Sequence, residues 1–161
     1  LLKNLNVRYV YIGFDSGSNA MLKSMHEGYT IDQNKKAIKL LSDRKINITG
    51  SLILGAEGET EETIIETERF AEEAAKNPYV AHLACSILTP FPGAPIGRKL
   101  VRSFPALEQE DLWDSEALTR LWIENFCKAP YESILSGARR INDLKHPFRK
   151  RCFGFKDQNG N

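Results

Sequence analysis

Three segments of the chain alternate between apolar and polar positions with the period of two that a β-strand produces. They span residues 7–14, 46–54 and 80–88. In each segment one face is apolar and the other is of mixed character. The residues of the mixed faces include Tyr9, Tyr11, Thr49, Ser51, His82 and Ser86. The pattern predicts strands that are packed under helices on one side, while the other side faces the interior of a barrel.

Helical patterns separate these strands. A short helix is predicted to end near Met25. Thr30 and Gln33 form a capping box that opens the next helix, and Thr60 is the expected N-cap of a third helix over residues 61–76. Strand and helix therefore alternate, and repeated units of this kind predict a parallel sheet in an α/β fold.

The pattern changes in the second half of the chain. Apolar residues recur there at helical spacing, Pro130 interrupts them, and a further helix is predicted to about Leu144. The apolar positions are Leu112, Ala117, Leu118, Leu121, Trp122 and Phe126. We divide the chain into a partial barrel (residues 1–96), a helical extension (97–144) and a basic, flexible tail (145–161). Three βα units cannot close a barrel, so we expect the chain to be the carboxyl half of a larger one.

Composition narrows the classes of partner. The formal net charge is +1, which gives no general attraction to nucleic acid or to an anionic membrane, and no apolar run reaches the length of a membrane span. The three cysteines are widely separated, which favours free thiols in a reducing cytoplasm over a disulfide framework.

The junction after the second strand is the expected ligand site. Gly55 and Gly58 allow a sharp turn, and Glu61 and Glu62 follow Thr60 in the first turn of the next helix. Ligands of parallel α/β folds bind outside the carboxyl ends of the strands. We therefore expect the segments that follow the three strands to lie close together at one edge of the sheet.

Three motifs resemble those of radical S-adenosylmethionine (SAM) enzymes, and together they cover residues 7–96. Ile12-Gly-Phe-Asp-Ser-Gly-Ser18 resembles the fourth-strand segment of that superfamily. Gly50-Ser-Leu-Ile-Leu-Gly-Ala-Glu-Gly-Glu-Thr60 resembles the fifth-strand motif, and Ser86-Ile-Leu-Thr-Pro-Phe-Pro-Gly93 resembles the end of the sixth strand. The residues of these three motifs are most similar to those of the Fe-S oxidoreductases that carry a cobalamin-binding domain. They are next most similar to those of the methylthiotransferases.

The resemblance implies a partial (β/α)6, TIM-like barrel, of which this chain is the carboxyl half. In such enzymes a 4Fe-4S cluster, held by a CxxxCxxC loop, cleaves SAM reductively to a 5′-deoxyadenosyl radical that abstracts hydrogen from the substrate. That loop is absent from this sequence, and Cys85, Cys127 and Cys152 do not replace it. We therefore expect SAM, the cluster and a further candidate, cobalamin, in the parent oxidoreductase or transferase. On this chain alone we expect no bound cofactor, no metal ligand and no catalytic residue.

The resemblance also implies which residues approach SAM. Asp15 stands where the family has Glu or Gln, and Leu88 to Phe91 would lie near the adenine. Glu27 and Glu57 depart from the family pattern, which has a basic residue and a proline at these positions. The candidate cofactor-binding residues are Asp15, Ser16, Ser51, Gly55, Gly58, Thr89 and Pro90.

Each candidate also has a purely structural interpretation. Asp15 and Ser16 open turns in many proteins, and Glu59 is expected to serve the helix dipole rather than act as a base. His82 is expected to be an interior residue of a central strand. Methionine and tryptophan side chains at helical spacing are expected to fill the core or anchor helix packing, and the basic run near the carboxyl end is expected to be a solvated surface. The core and packing residues are Met21, Met25, Trp113 and Trp122. The residues of the basic run are Arg139, Arg140, Lys145, Arg149, Lys150 and Arg151.

Two other functions remain open at this point. The chain could be a binding or assembly module, which would use an exposed sheet edge to dock a second copy or the amino-terminal half of the barrel. It could also be an unrelated half-barrel that binds phosphate at the Gly55–Thr60 turn, although the glutamates there disfavour an anion. The substrate is not identified by the sequence.

Overall fold

A computed structural model describes residues 6–108 and 114–146. The elements in chain order are β1 (Tyr9–Asp15), α1 (Asn19–Ser24), α2 (Ile31–Ser42), β2 (Asn47–Leu54), α3 (Glu61–Ala75), β3 (Val80–Ile87), α4 (Pro95–Ser103), a 3-10 turn (Pro105–Glu108), α5 (Ser115–Phe126) and α6 (Tyr131–Asn142). The predictions for Leu112, Trp113, Cys152, the basic residues 149–151 and most of the tail lie outside the described residues.

The strands form a parallel sheet in the order β1-β2-β3, as predicted. Gly13 lies opposite Ser51, and Ser51 lies opposite Ala84. Leu54 lies opposite Ile87 at the end of the sheet. Because the strands are parallel and in register, their carboxyl ends meet along one edge, which we call the carboxyl edge.

One face of the sheet is buried under helices. Phe14, Leu52 and Leu83 on this face have no exposed surface, and they belong to the main hydrophobic core together with side chains of α3, α5 and α6. The packing is close, because a Cβ added to Gly137 of α6 would lie 2.6 Å from the side chain of Ile64 on α3. The apolar stripes predicted for β2 and α3 are therefore the ones that fold the sheet against the helices.

The opposite face is open in the part of the chain that the structure describes. Tyr9 and Tyr11 are 50% and 67% exposed, His82 is exposed, and Thr49 and Ser51 are half-buried. We call this surface the open face, and its residues are Tyr9, Tyr11, Gly13, Thr49, Ser51, Ile53, His82, Ala84 and Ser86. The prediction that His82 is an interior residue of a central strand is wrong, because β3 is an edge strand of the described sheet.

The predicted helix starts are present. The Gln33 side-chain oxygen accepts a hydrogen bond from the Thr30 backbone N–H at 2.8 Å, and the Thr60 hydroxyl accepts one from the Thr63 N–H at 3.2 Å. Helices α5 and α6 confirm the helical pattern on either side of Pro130. Helix α4 was not predicted as an element of its own, although Pro95 occupies the first-turn position where a helix tolerates proline. None of the helices in the described ranges has the length and apolar character that crossing a membrane requires.

Side chains from the carboxyl-terminal part of the chain cover the outer edge of β3. The Asn142 amide accepts from the Cys85 N–H at 2.8 Å and donates to the Cys85 carbonyl at 2.9 Å. The Leu83 N–H donates to His146 Nε2 at 3.3 Å. These contacts replace hydrogen bonds that a neighbouring strand would make, so the β3 edge is protected against further strand pairing.

Candidate functional site

The end of β1 turns the Asp15 carboxylate onto the open face. The pairing of β1 with β2 is irregular between Gly13 and Asp15, and Asp15 has a φ of 55°, a left-handed conformation that aspartate tolerates better than most residues. A Cβ added to Gly13 would lie 3.3 Å from Asp15 Oδ1, so the carboxylate lies above Gly13. Because Gly13 is opposite Ser51, the structure brings Asp15 and Ser51 to the same part of the open face.

Tyr29 holds this carboxylate in place. Its hydroxyl donates to Asp15 Oδ2 and approaches the Gly13 carbonyl oxygen at 3.3 Å. Burial first, and then the hydrogen bond and charge of Asp15, raise the pKa of Tyr29 above its ordinary value, so the hydroxyl stays protonated and remains a donor. Sequence reasoning missed Tyr29, because it lies in the connection between α1 and α2, where no periodic pattern marks it.

The Ser16 side chain points into the fold. It has no exposed surface, and its hydroxyl is 3.0 Å from Thr67 Oγ1 on α3. It also accepts a hydrogen bond from the Ser18 N–H at 3.0 Å. The Ser16 side chain therefore fixes the turn against α3 and does not reach the open face.

The Gly55–Glu59 turn follows β2. Gly55 and Gly58 have φ values of 90° and 84°, which glycine adopts without the strain that a side chain would cause. Glu59 is 1% exposed, and its carboxylate accepts from the Gly55 N–H at 3.1 Å and from the Thr63 hydroxyl at 2.5 Å. Burial raises the pKa of the Glu59 carboxyl, and these hydrogen bonds partly oppose that effect. Glu59 is thus an internal brace of the turn, and not a surface carboxylate at the helix start.

Glu57, where the family pattern has proline, contacts two neighbouring elements. The Glu57 carboxylate forms an ion pair with Lys99 of α4 at 2.5 Å, and its carbonyl oxygen accepts from the Ser24 hydroxyl at 2.7 Å. The glutamate therefore links the turn to α4, which the sequence pattern had not predicted. His26, beside the other departure at Glu27, is exposed.

The segment after β3 completes the carboxyl edge. The Leu88 N–H donates to the Leu54 carbonyl at 2.8 Å, which keeps this segment beside the start of the Gly55–Glu59 turn. The Thr89 hydroxyl lies 3.2 Å from the Thr119 hydroxyl of α5, and Pro90 is buried. Phe91 is 62% exposed and supplies an apolar ring near this edge.

The described residues do not fit an iron–sulfur cluster. They contain no group of three or more His, Cys, Asp or Glu side chains that could hold a metal ion. Burial is the main reason that the pKa of Cys85 and that of Cys127 rise to about 12, so both thiols stay protonated and are poor metal ligands. They also lie on different elements, with Cys85 on β3 and Cys127 in the α5–α6 connection.

The carboxyl edge combines side chains and backbone groups that can form hydrogen bonds with a ligand. Asp15 offers a carboxylate that accepts hydrogen bonds, and the half-buried Ser51 hydroxyl lies on the same face. No atom lies within 4 Å of the position that a Cβ would occupy on Gly58, so a ligand can approach the backbone there. The edge therefore combines an oriented anion with an accessible backbone turn.

The comparisons with known proteins point to one superfamily. The sequence model described as the radical SAM superfamily matches residues 1–71. Over 88 residues the chain is 33% identical to a protein of Methanocaldococcus jannaschii that is named as a methylthiotransferase, covering 55% of this chain and 20% of the relative. Over 100 residues it is 33% identical to the anaerobic magnesium-protoporphyrin IX monomethyl ester cyclase of Rubrivivax gelatinosus, covering 62% and 17%.

A third relative is the tRNA-2-methylthio-N(6)-dimethylallyladenosine synthase of Alkaliphilus oremlandii, which is 38% identical over 68 residues. That alignment covers 41% of this chain and 14% of the relative. The alignments with these three proteins thus span between 14% and 20% of the relatives' lengths. The turn after β1 and the Gly55–Glu59 turn both lie within the residues that the superfamily model matches.

Proposed function

Because this chain belongs to the radical SAM superfamily, we propose that its open face and carboxyl edge form the SAM- and substrate-facing half of a radical SAM active site. The observation that carries this proposal is the one-sided sheet. Helices cover one face, on which Phe14, Leu52 and Leu83 are fully buried, whereas the other face presents hydroxyl and aromatic side chains and ends at Asp15 and the Gly55–Glu59 turn. In a closed barrel that second face would line the interior.

The residues at the edge have distinct roles in this proposal. Asp15 accepts hydrogen bonds from the ribose hydroxyls or the α-ammonium group of SAM, because an ionised carboxylate is only an acceptor. Ser51 adds a hydroxyl on the same face, and Gly55 and Gly58 let the adenosyl group approach the backbone. Thr89 and Pro90 contribute mainly through their backbone near the adenine, because the Thr89 hydroxyl is engaged by α5.

The radical chemistry belongs to a longer parent protein in this proposal. A 4Fe-4S cluster supplies the electron for reductive cleavage of SAM in this superfamily, and the CxxxCxxC loop that holds it is not in this sequence. The relatives are named for a tRNA nucleoside and for a porphyrin ester, so their names do not agree on one substrate. A cobalamin cofactor and a cytoplasmic location remain predictions from the sequence.

The phosphate-binding alternative loses its structural support. The Gly55 N–H already donates to the Glu59 carboxylate, and the Gly58 N–H donates to the Phe126 carbonyl at 2.8 Å. A phosphate at this turn would have to displace these acceptors and would face the charge of Glu57 as well. The Glu59 carboxylate thus occupies the turn in the way that a bound anion would.

If the chain is a binding or assembly module, a partner strand is expected to pair at one edge of the sheet. Asn142 and His146 cover the outer edge of β3, so strand pairing with a partner is more favourable at β1. The amino-terminal half of the barrel would pair with β1 in the proposed enzyme, and a second copy of the chain is the competing partner. Sedimentation of the chain at increasing concentration distinguishes these two, because only the second copy gives a dimer of the chain alone.

Calorimetric titration with SAM tests the proposal. The proposal replaces the expectation from the sequence that this chain alone binds no cofactor, because the carboxyl edge offers hydrogen-bond acceptors for SAM without the cluster. Asp15→Asn keeps the shape and the tolerance for a left-handed backbone but removes the charge, and we expect SAM affinity to fall about tenfold. Asp43→Asn is the matched control, because Asp43 is exposed at the C-terminal end of α2, opposite to the end that packs on Asp15 and Phe14. Failure of the wild-type chain to bind SAM would contradict the proposed function, and equal binding by Asp15→Asn would contradict the role of Asp15.

A further inference from the structure

The Gly55–Glu59 turn forms several hydrogen bonds with a segment that lies far from it in sequence. This segment, which we call the clamp segment, comprises residues 122–129 at the end of α5 and the start of the connection to α6. The superfamily model matches residues 1–71, so it includes the turn but does not reach the clamp segment. The contacts between them are of two independent kinds.

Side chains of the clamp segment hold the first half of the turn. Trp122 has no exposed surface, and its Nε1–H donates to the Gly55 carbonyl at 2.9 Å. The indole is itself held by stacking on Phe126, with ring centroids 4.4 Å apart. The Cys127 thiol approaches the same Gly55 carbonyl at 3.4 Å and the Ala56 carbonyl at 3.3 Å. Both carbonyls at the start of the turn therefore have partners in the clamp segment.

Backbone groups hold the second half of the turn. The Gly58 N–H donates to the Phe126 carbonyl at 2.8 Å. The Glu59 carbonyl accepts from the N–H groups of Lys128 and Ala129 at 2.8 Å and 2.9 Å. Both ends of the turn thus form hydrogen bonds with the clamp segment. The buried Glu59 carboxylate also accepts a hydrogen bond from the Gly55 N–H, which links the two ends to each other.

This arrangement matters because of the two glycines. A turn with glycines at positive φ has many alternative conformations, and ordering it at the moment of ligand binding would cost conformational entropy. Contacts that order the turn beforehand remove that cost and so increase affinity without touching the ligand. The hydrogen bond from Trp122 is suited to this function, since a buried indole has little freedom of its own.

We propose that the clamp segment preorganises the Gly55–Glu59 turn for ligand binding, with Trp122 as its principal positioning residue. This inference rests on the proposed function, in which the ligand is SAM. It gives the α5–α6 region a direct role at the cofactor site, in addition to its packing on the sheet.

Trp122→Phe tests the inference, because phenylalanine keeps an aromatic ring in the core but cannot donate to Gly55. Ile141→Val is the matched control, since Ile141 is a buried core residue of α6 whose aliphatic side chain makes no hydrogen bond to the turn. Amide hydrogen exchange at Gly55 and Gly58 and titration with SAM are measured for both variants. We expect Trp122→Phe to accelerate exchange at these amides and to weaken SAM binding, each by about tenfold, while Ile141→Val changes neither.

Equal effects of the two variants on exchange and affinity would overturn the inference, because a general loss of packing would then explain both. If Trp122→Phe fails to fold, Cys127→Ala takes its place, since it removes a half-buried donor to the same carbonyl. The expected changes are then smaller and in the same direction, and wild-type values would overturn the inference. A wild-type chain that does not bind SAM contradicts the proposed function, while the exchange data still decide whether the clamp segment orders the turn.

Discussion

Gly17 lies in the turn that carries Asp15, and its replacement by alanine measures how closely that turn is held against α3. The added Cβ would lie 2.6 Å from the Thr67 Cα, 2.6 Å from the Phe70 Cβ and 2.9 Å from the Glu66 carbonyl oxygen. These atoms belong to the frame of the helix and cannot move aside as the end of a flexible side chain can. The Gly17 N–H also donates to Thr67 Oγ1 at 3.1 Å, and a shift of the turn would break this hydrogen bond.

The magnitude follows from these two effects. Overpacking of this kind costs about 1–3 kcal/mol, and loss of the hydrogen bond adds about 0.5–1.5 kcal/mol. We therefore expect Gly17→Ala to lower the free energy of unfolding by about 1.5–4.5 kcal/mol, as measured by urea denaturation. Because the displaced turn carries Asp15, we also expect weaker SAM binding.

Gly28→Ala is the control for the same chemical change. No atom lies within 4 Å of the position of its Cβ, and Gly28 is not among the glycines with positive φ. Alanine at such a site changes stability little, or raises it by about 0.4–1 kcal/mol through the unfolded state. If the two variants differ by less than about 0.5 kcal/mol, which is the usual range of surface substitutions, the turn is not pressed against α3 and the reasoning is refuted.

Three further predictions concern the buried carboxyl, the tyrosine at the site and the edge of the sheet. Burial raises the pKa of Glu59, so wild type should lose free energy of unfolding relative to Glu59→Gln as pH rises from below about 4.3 through the folded-state pKa. Urea denaturation across this range checks it, and a difference independent of pH would contradict it. Tyr29→Phe removes the donor to Asp15 and should weaken SAM binding about three- to tenfold in calorimetric titration, whereas unchanged affinity would show that the hydroxyl does not orient the carboxylate. Asn142→Leu uncovers the backbone of Cys85 and should speed its amide exchange and cause concentration-dependent association, and wild-type behaviour in both assays would count against edge protection.

Much of the fold follows from the chain's local pattern. The alternation of Ile48, Leu52 and Leu54 with polar neighbours was enough to identify a strand with one buried face, because burial on one side imposes a period of two. The βα order predicted parallel strands, and Thr30 and Thr60 marked helix starts through short-range hydrogen bonds. These features depend on residues that are close together in the sequence, and so they can be predicted from the sequence alone.

The features that the sequence did not reveal depend on long-range contacts. Ser16 looked like a site residue, but Thr67 of α3 binds its hydroxyl inside the fold. Trp122 was expected only to anchor helices, yet it donates to the Gly55 carbonyl. His82 was expected inside, but its strand lies at the edge of the described sheet. In each case a partner distant in sequence decides the role, and periodicity contains no information about that partner.

The location of the SAM site is the central claim, and amide chemical-shift mapping of the chain during titration with SAM tests it most directly. We predict that the largest shifts fall on Asp15, Ser51, Gly55 and Gly58, along the carboxyl edge and the adjoining open face. Largest shifts at the groove between α2 and α3, where Lys35 and Glu73 form an ion pair at 2.7 Å, or no shifts at saturating SAM, would contradict it.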